Sequence, residues 1–137
     1  MGGPPMKITA ASNVLVRAIT GDDEHQSKVA QQELATADVV ALTLPALCEL
    51  VWVLSKSYKI PTVAVAQAVR DLVGSGNVVV NRPAVEAGLA VLDSGGDFAD
   101  GVIAFEGNWL GADVFVSFDR KAVKLMAAQG AAARLLA

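Results

Sequence analysis

One cysteine and one histidine in 137 residues remove several chemistries at the start. Cys48 has no second thiol for an internal disulfide, so the chain must hold together through its core, and a reducing, cytoplasmic setting is expected. His25 lies in a polar stretch with no partner at ligand spacing, so a zinc site or a Ser-His-Asp triad lacks its usual donor. There is no Walker A loop and no GxGxxG, and Gly74-Ser75-Gly76 runs into a strand-like segment rather than a helix. Positive charge is also short: 11 Lys and Arg stand against 14 Asp and Glu, a net charge of −3. A protein that holds nucleic acid by charge alone has the opposite balance. The apolar stretch at residues 39–54 is too short to span a bilayer and is interrupted by Thr43, Pro45 and Glu49. Neither a membrane partner nor a signal peptide is expected.

What remains is 53% hydrophobic and only 18% charged, enough for a core without metal or disulfide support. So little charge leaves apolar surface to meet a second copy or another chain. Met1-Gly2-Gly3-Pro4-Pro5 has no periodicity and reads as a flexible extension or an expression remnant, with residues 6–137 as a single domain. Strand-like and helix-like segments then alternate. Strands are expected at residues 7–11, 39–43, 77–81, 113–117 and 133–136, with helices between them. Ser12-Asn13, Asp22, Asp97 and Asp119 sit where helix caps belong, and Pro45, Pro61 and Pro83 suit first helical turns. Val78-Val79-Val80 and Val114-Phe115-Val116 are continuously apolar, as in strands covered on both faces. The pattern predicts an α/β fold: a three-layer α/β/α sandwich with a mainly parallel central sheet.

Most charges have an ordinary explanation as solvated helix faces or caps. Glu49 is different. It is the only charged residue between Asp38 and Lys56, and Pro45, Ala46, Trp52 and Val53 are its helical neighbours. A carboxylate among apolar groups needs a polar pocket, a cation or a partner. Asp97 and Asp100 stand three positions apart at a helix start, where like charges repel unless a cation lies between them. Asp119 follows a buried-type strand and precedes a helix, the place where ligands collect in open parallel sheets. Ser12 and Asn13 hold the corresponding place after the first strand. Asn13, Glu49, Asp97, Asp100 and Asp119 are thus candidates to converge at one sheet edge. Hard oxygen donors without a His or Cys cluster suit Mg²⁺ or Mn²⁺, and such sites perform phosphoryl-transfer chemistry.

Four segments together resemble PIN domains, and among them VapC-type toxins. Ile8-Thr9-Ala10-Ala11-Ser12-Asn13 looks like the family's opening strand and turn, which normally reads Asp-Thr-Asn or Asp-Ser-Asn. Leu44-Pro45 through Glu49-Leu50-Val51-Trp52 is similar to its glutamate-bearing helix. Asp97-Phe98-Ala99-Asp100-Gly101-Val102-Ile103-Ala104 and Val116-Ser117-Phe118-Asp119-Arg120 match its two later acidic motifs in order and spacing.

The resemblance implies a Mg²⁺- or Mn²⁺-dependent endoribonuclease, the toxin of a type II toxin–antitoxin pair. It implies a homodimer, a VapB-type antitoxin that occludes the site, and structured RNA such as tRNA or rRNA as substrate. Glu49, Asp100 and Asp119 would hold metal, with Asp97 as a secondary acid. Asn13, Ser12 and Ser117 would be supporting polar groups, with Asn13 and Ser117 hydrogen-bonding the carboxylates or the metal's water, while Ser12 points away from the place of the carboxylate missing at Ala11. Arg17 and Arg120 would contact RNA phosphate. The departure is Ala11, which stands where the family has its first metal-binding aspartate, so this chain is expected to be catalytically impaired. The intact remainder of the pattern points to Ala11 as a replacement, by design or by selection, of a native aspartate. Two other readings remain: a non-catalytic PIN-like protein that partners a regulator, and a receiver-like phosphoacceptor or phosphatase with Asp119 as nucleophile.

Overall fold

The computed structural model describes residues 6–137, so the reading of residues 1–5 as an extension lies outside the described residues. The chain falls into two compact units, Met1–Val80 and Asn81–Ala137.

The first unit begins with β1 (Lys7–Thr9), α1 (Ser12–Thr20) and α2 (Glu24–Thr36). It continues with β2 (Val39–Ala41), α3 (Leu44–Trp52), a π-helical turn at Val53–Ser57, α4 (Thr62–Val73) and β3 (Val78–Val79). The strands form a parallel sheet of order β1-β2-β3, with Ile8 opposite Val40 and Val40 opposite Val78. Helical periodicity puts Leu47, Leu50, Val51 and Leu54 on one face, and all four are buried, as is Val40 in the central strand. Asn77 ties the start of β3 to the end of α2 by donating to the carbonyls of Leu34 and Ala37, at 2.8 and 2.9 Å.

The second unit contains α5 (Arg82–Asp93), α6 (Phe98–Trp109), β4 (Phe115–Ser117), α7 (Arg120–Ala128) and β5 (Ala133–Leu135). Strands β4 and β5 pair in parallel, joined by α7 as the crossover. Helices α5 and α6 pack closely because glycines meet at their crossing. A Cβ on Gly101 would lie 2.4 Å from the Ala87 carbonyl oxygen and 2.8 Å from Gly88 Cα, and one on Gly88 would strike the buried Phe98 ring.

The architecture is mixed α/β with parallel pairing, as the alternation predicts. The reading of strands covered on both faces does not hold. Val79 is 59% exposed, and Val114 and Val116 are 44% and 45% exposed. Among the described residues only β2 has a paired neighbour on each side within its own sheet, so β3 and β4 lie at sheet edges with a partly open face. Among the described residues no helix is long and apolar enough to cross a membrane.

One local rule recurs in both units. Each of β1, β2, β3 and β4 passes into a helix through the same short turn, with the N-cap two residues beyond the strand: Ala11, Thr43, Asn81 and Asp119. Thr43 accepts from the Ala46 N–H, Asn81 from the Ala84 N–H, and Asp119 from the Lys121 and Ala122 N–H groups. Ala11 has no oxygen to offer, and α1 starts without a side-chain cap. Ser12 and Asn13 are therefore the first helical residues rather than caps, and Asp23, not Asp22, caps α2 by accepting from Gln26.

Candidate active site

The sequence-predicted residues form two groups, one in each unit. In the first unit, Ser12 on α1 donates through its hydroxyl to Glu49 Oε1 on α3, at 2.8 Å. Ser12 thereby meets one of the candidate carboxylates. Glu49 is exposed, on the α3 face that also shows Pro45 and Trp52, while the apolar residues around it in sequence turn to the opposite face. Counting neighbours along a helix identifies the crowding but not the side on which it falls.

Asn13 bonds none of these carboxylates among the described residues. It lines a groove of about 630 Å³ between α1 and α2, together with Val14, Arg17, His25 and Glu33. Arg17 is occupied: its guanidinium donates to Asp22 at 2.9 Å and to Gln26 at 2.8 Å. Tyr58, just beyond the π-helical turn, donates to the other oxygen of Asp22, and Thr20 donates to the first at 2.9 Å. The Tyr58 hydroxyl, then Thr20 and Arg17, hold the Asp22 carboxyl below its usual range, and Asp22 in turn raises the Arg17 guanidinium. Gly21, at φ 67° beyond the end of α1, lets the chain reverse so that Asp22 can reach back to that helix. Sequence reading missed this clamp, because its members are 36 and 41 positions apart where Tyr58 meets Asp22 and Arg17.

The second unit gathers Asp97, Asp100 and Asp119. Asp97 caps α6 by accepting from the Ala99 N–H at 3.0 Å. Asp100 sits in the first turn of that helix, half-buried. Gly96, just before Asp97, fits between Val91 of α5 and Leu125 of α7, where an added Cβ would come within 2.7 and 2.6 Å of their side chains. Gln129, immediately after α7, reaches Ser94 Oγ at 3.1 Å. These contacts bring the start of α6 up to α7, which Asp119 caps through Oδ1 at 2.9 and 3.2 Å. Ser117 Oγ accepts from the Asp119 N–H at 2.9 Å, so it fixes the backbone of the turn rather than a carboxylate.

Burial raises the Asp100 carboxyl above its usual range, and the negative charges of Asp97 and then Asp119 push in the same direction. The three acids therefore act on one another electrostatically. Among the described residues no three His, Cys, Asp or Glu side chains are arranged to enclose a metal. That is compatible with the donor chemistry of Mg²⁺, which is held by one or two carboxylates and completes its shell with water and substrate oxygens. Asp97 and Asp119 each spend one oxygen on a helix N-terminus and keep the other free of that duty. Arg120 is exposed beside Asp119. No family model matches the chain, and no characterised protein matches it in sequence.

Proposed function

We propose that the chain is a VapC-type PIN-domain protein, a three-layer α/β/α metal-dependent endoribonuclease of a toxin–antitoxin pair, impaired here by Ala11. The observation that carries this reading is the gathering of three carboxylates in the second unit: Asp97 and Asp100 at the start of α6 and Asp119 at the cap of α7. Asp100 is partly buried, and the negative charges of Asp97 and Asp119 act on it in the same direction as that burial; a divalent cation would offset that repulsion. Hard oxygen donors favour Mg²⁺ or Mn²⁺ over zinc.

Asp100 and Asp119 would hold the ion, with Asp97 adding negative charge. When bound, the ion supplies the charge that activates water and stabilises a leaving phosphate oxygen. The protein's own part is orientation. Ser117 holds the turn that presents Asp119, and Gly96 and Gly101 allow the close packing that sets the start of α6. In the first unit, Ser12 restrains Glu49, which the family pattern assigns to the same chemistry. The family reading also brings a VapB-type antitoxin, a homodimer and a cytoplasmic location. A non-catalytic binding protein is the second reading, and Ala11 favours it.

The test begins with Ala11→Asp. Both forms are incubated with total RNA in Mg²⁺, in Mn²⁺ and in chelator. The restored protein is expected to cut discrete RNAs only with metal, and much faster than the chain with Ala11. Asp100→Asn in the restored protein should remove the cutting. No cleavage by the restored protein with either metal would sink the nuclease reading and leave the binding protein.

A further inference from the structure

We propose that Tyr58 is a positioning residue for Glu49: through Asp22 and Arg17 it holds the far end of α1, and that hold keeps Ser12 in place against the Glu49 carboxylate. The catalytic consequence rests on the nuclease reading, whereas the mechanical link rests on contacts within the first unit alone.

Two hydrogen-bonded ties join α1 to the segment that runs from α3 to Tyr58. At the start of α1, Ser12 donates to Glu49 at 2.8 Å. Towards its end, Arg17 donates to Asp22 at 2.9 Å, and Tyr58 donates to the second oxygen of the same carboxylate. Arg17 Nη1 also donates to the Tyr58 hydroxyl at 3.5 Å, and its Nε donates to Gln26 at 2.8 Å. A lone exposed ion pair contributes little. Here Arg17, Asp22 and Tyr58 each touch the other two, so no one of them moves without disturbing both partners.

The backbone is irregular on both sides of Tyr58. Before it, α3 passes into the π-helical turn Val53–Ser57, which closes as the Tyr58 N–H donates to the Val53 carbonyl at 3.1 Å. After it, Lys59 stands at φ 53°, the one left-handed residue other than glycine among the described residues. Across it the Ile60 N–H donates to the Leu54 carbonyl at 3.0 Å, the closure usual where glycine ends a helix. A π turn is rare and a left-handed lysine costs free energy; such departures concentrate where a side chain must be aimed. The side chain between these two is Tyr58, and its hydroxyl meets Asp22.

The state of α1 makes this hold consequential. The helix has nine residues and starts at Ala11 without a side-chain cap. A helix so short is marginal by itself and frays at its ends, and Ser12 is its first residue. Ser12 and Arg17 lie about 7.5 Å apart along the axis. Fixing the Arg17 end, with Leu15 and Val16 buried between, therefore limits how far the first turn can shift along α3. Glu49 is exposed, where a carboxylate samples several rotamers unless its partner stays in place.

The experiment follows the Glu49 carboxyl carbon by NMR in the full chain, with amide exchange as the reporter on α1. Ser12→Ala defines the resonance of an unheld Glu49. Tyr58→Phe keeps the ring and removes one hydroxyl. It should move the Glu49 resonance towards the Ser12→Ala position and speed amide exchange at Leu15 and Val16 by about tenfold, the loss of one hydrogen bond to a charged group. Asp22→Ala, which releases both partners, should move the resonance at least as far, and Tyr58→Phe added to Ser12→Ala should move it no further. A Glu49 resonance that stays at the parent position in both Tyr58→Phe and Asp22→Ala overturns the proposal, whatever those variants do to stability. So does a shift that adds to that of Ser12→Ala, because Tyr58 would then reach Glu49 by another route. Ala11→Asp caps α1 from its other end, so in that background the shift should be smaller, and kcat for RNA should fall in proportion to what remains, with KM unchanged. The two readings fail separately. If the Ala11→Asp protein never cuts RNA while Tyr58→Phe frees Glu49, only the nuclease reading falls. If it cuts while Tyr58→Phe leaves Glu49 at the parent position in both backgrounds, only the positioning role falls.

Discussion

The turn from β1 into α1 and the turn from β4 into α7 are built alike, yet they end differently. In each, the strand stops, one residue intervenes, and the next is the N-cap. At the second turn Asp119 satisfies two backbone N–H groups and still has an oxygen to present. At the first, Ala11 does neither, although its backbone is extended in the same way, at φ −70° and ψ 158° against −86° and 109°. Thr43 and Asn81 fill the cap at the other two turns, so the Ala11 turn is the exception to a rule the chain otherwise keeps. One side chain can serve helix initiation and metal chemistry together, and an alanine at position 11 provides neither.

The largest expected effect is catalytic. Ala11→Asp makes the two turns equivalent, and a gain of metal-dependent RNA cleavage would mark the first turn as part of the chemistry. A stability gain without cleavage would reduce the comparison to helix capping alone.

Next comes the packing that presents Asp100. Gly101→Ala places a methyl group against the α5 backbone, which α6 can accommodate only by moving. Unfolding by denaturant should show a loss of about 1–3 kcal/mol, and cleavage by the Ala11→Asp protein should fall with it. An unaffected midpoint would mean that the two helices separate freely.

Smaller effects separate the cap from the charge. Ala11→Asp should stabilise the fold by about 1 kcal/mol, read as a rise of a few degrees in Tm. Asp119→Ser keeps a capping oxygen and removes the carboxylate. It should therefore hold stability near its original value while abolishing cleavage by the restored protein. Equal loss of stability in Asp119→Ser and Asp119→Ala would show that the hydroxyl does not cap there.

The smallest effect is the pH dependence of Asp100. Its carboxyl is raised in the folded chain, so the folded state binds its proton more tightly than the unfolded one does. The stability linked to that proton is fully present below the ordinary aspartate range and is lost as pH rises through the raised value. At neutral pH, Asp100→Asn should therefore unfold at a higher temperature than the parent, and the difference should vanish in acid. Mg²⁺ or Mn²⁺ should raise the Tm of the parent and leave Asp100→Asn unmoved. A parent that gains nothing from either ion would argue against a cation beside Asp100.

Much of this was legible in the residues themselves. Alternating periodicity, proline in first helical turns and acidic caps mark the order of elements, because those signals act within a few residues of each other. The pattern also singles out Asp97, Asp100 and Asp119, since like charges at a helix start and after a strand are conspicuous in one dimension. The packing that brings Asp119 up to the other two was not legible: Gly96 lies between Val91 and Leu125, and Gln129 reaches Ser94. Glu49 shows the same limit. Its neighbours in sequence are apolar, but the helical phase turns it to solvent and against Ser12. The sequence by itself determined which residues bear charge, where helices begin and that Ala11 has no oxygen to cap with. Tertiary structure alone decided which of those charges meet. Side-chain chemistry and short-range periodicity are local properties, whereas proximity between residues far apart in the chain is set by how the elements pack.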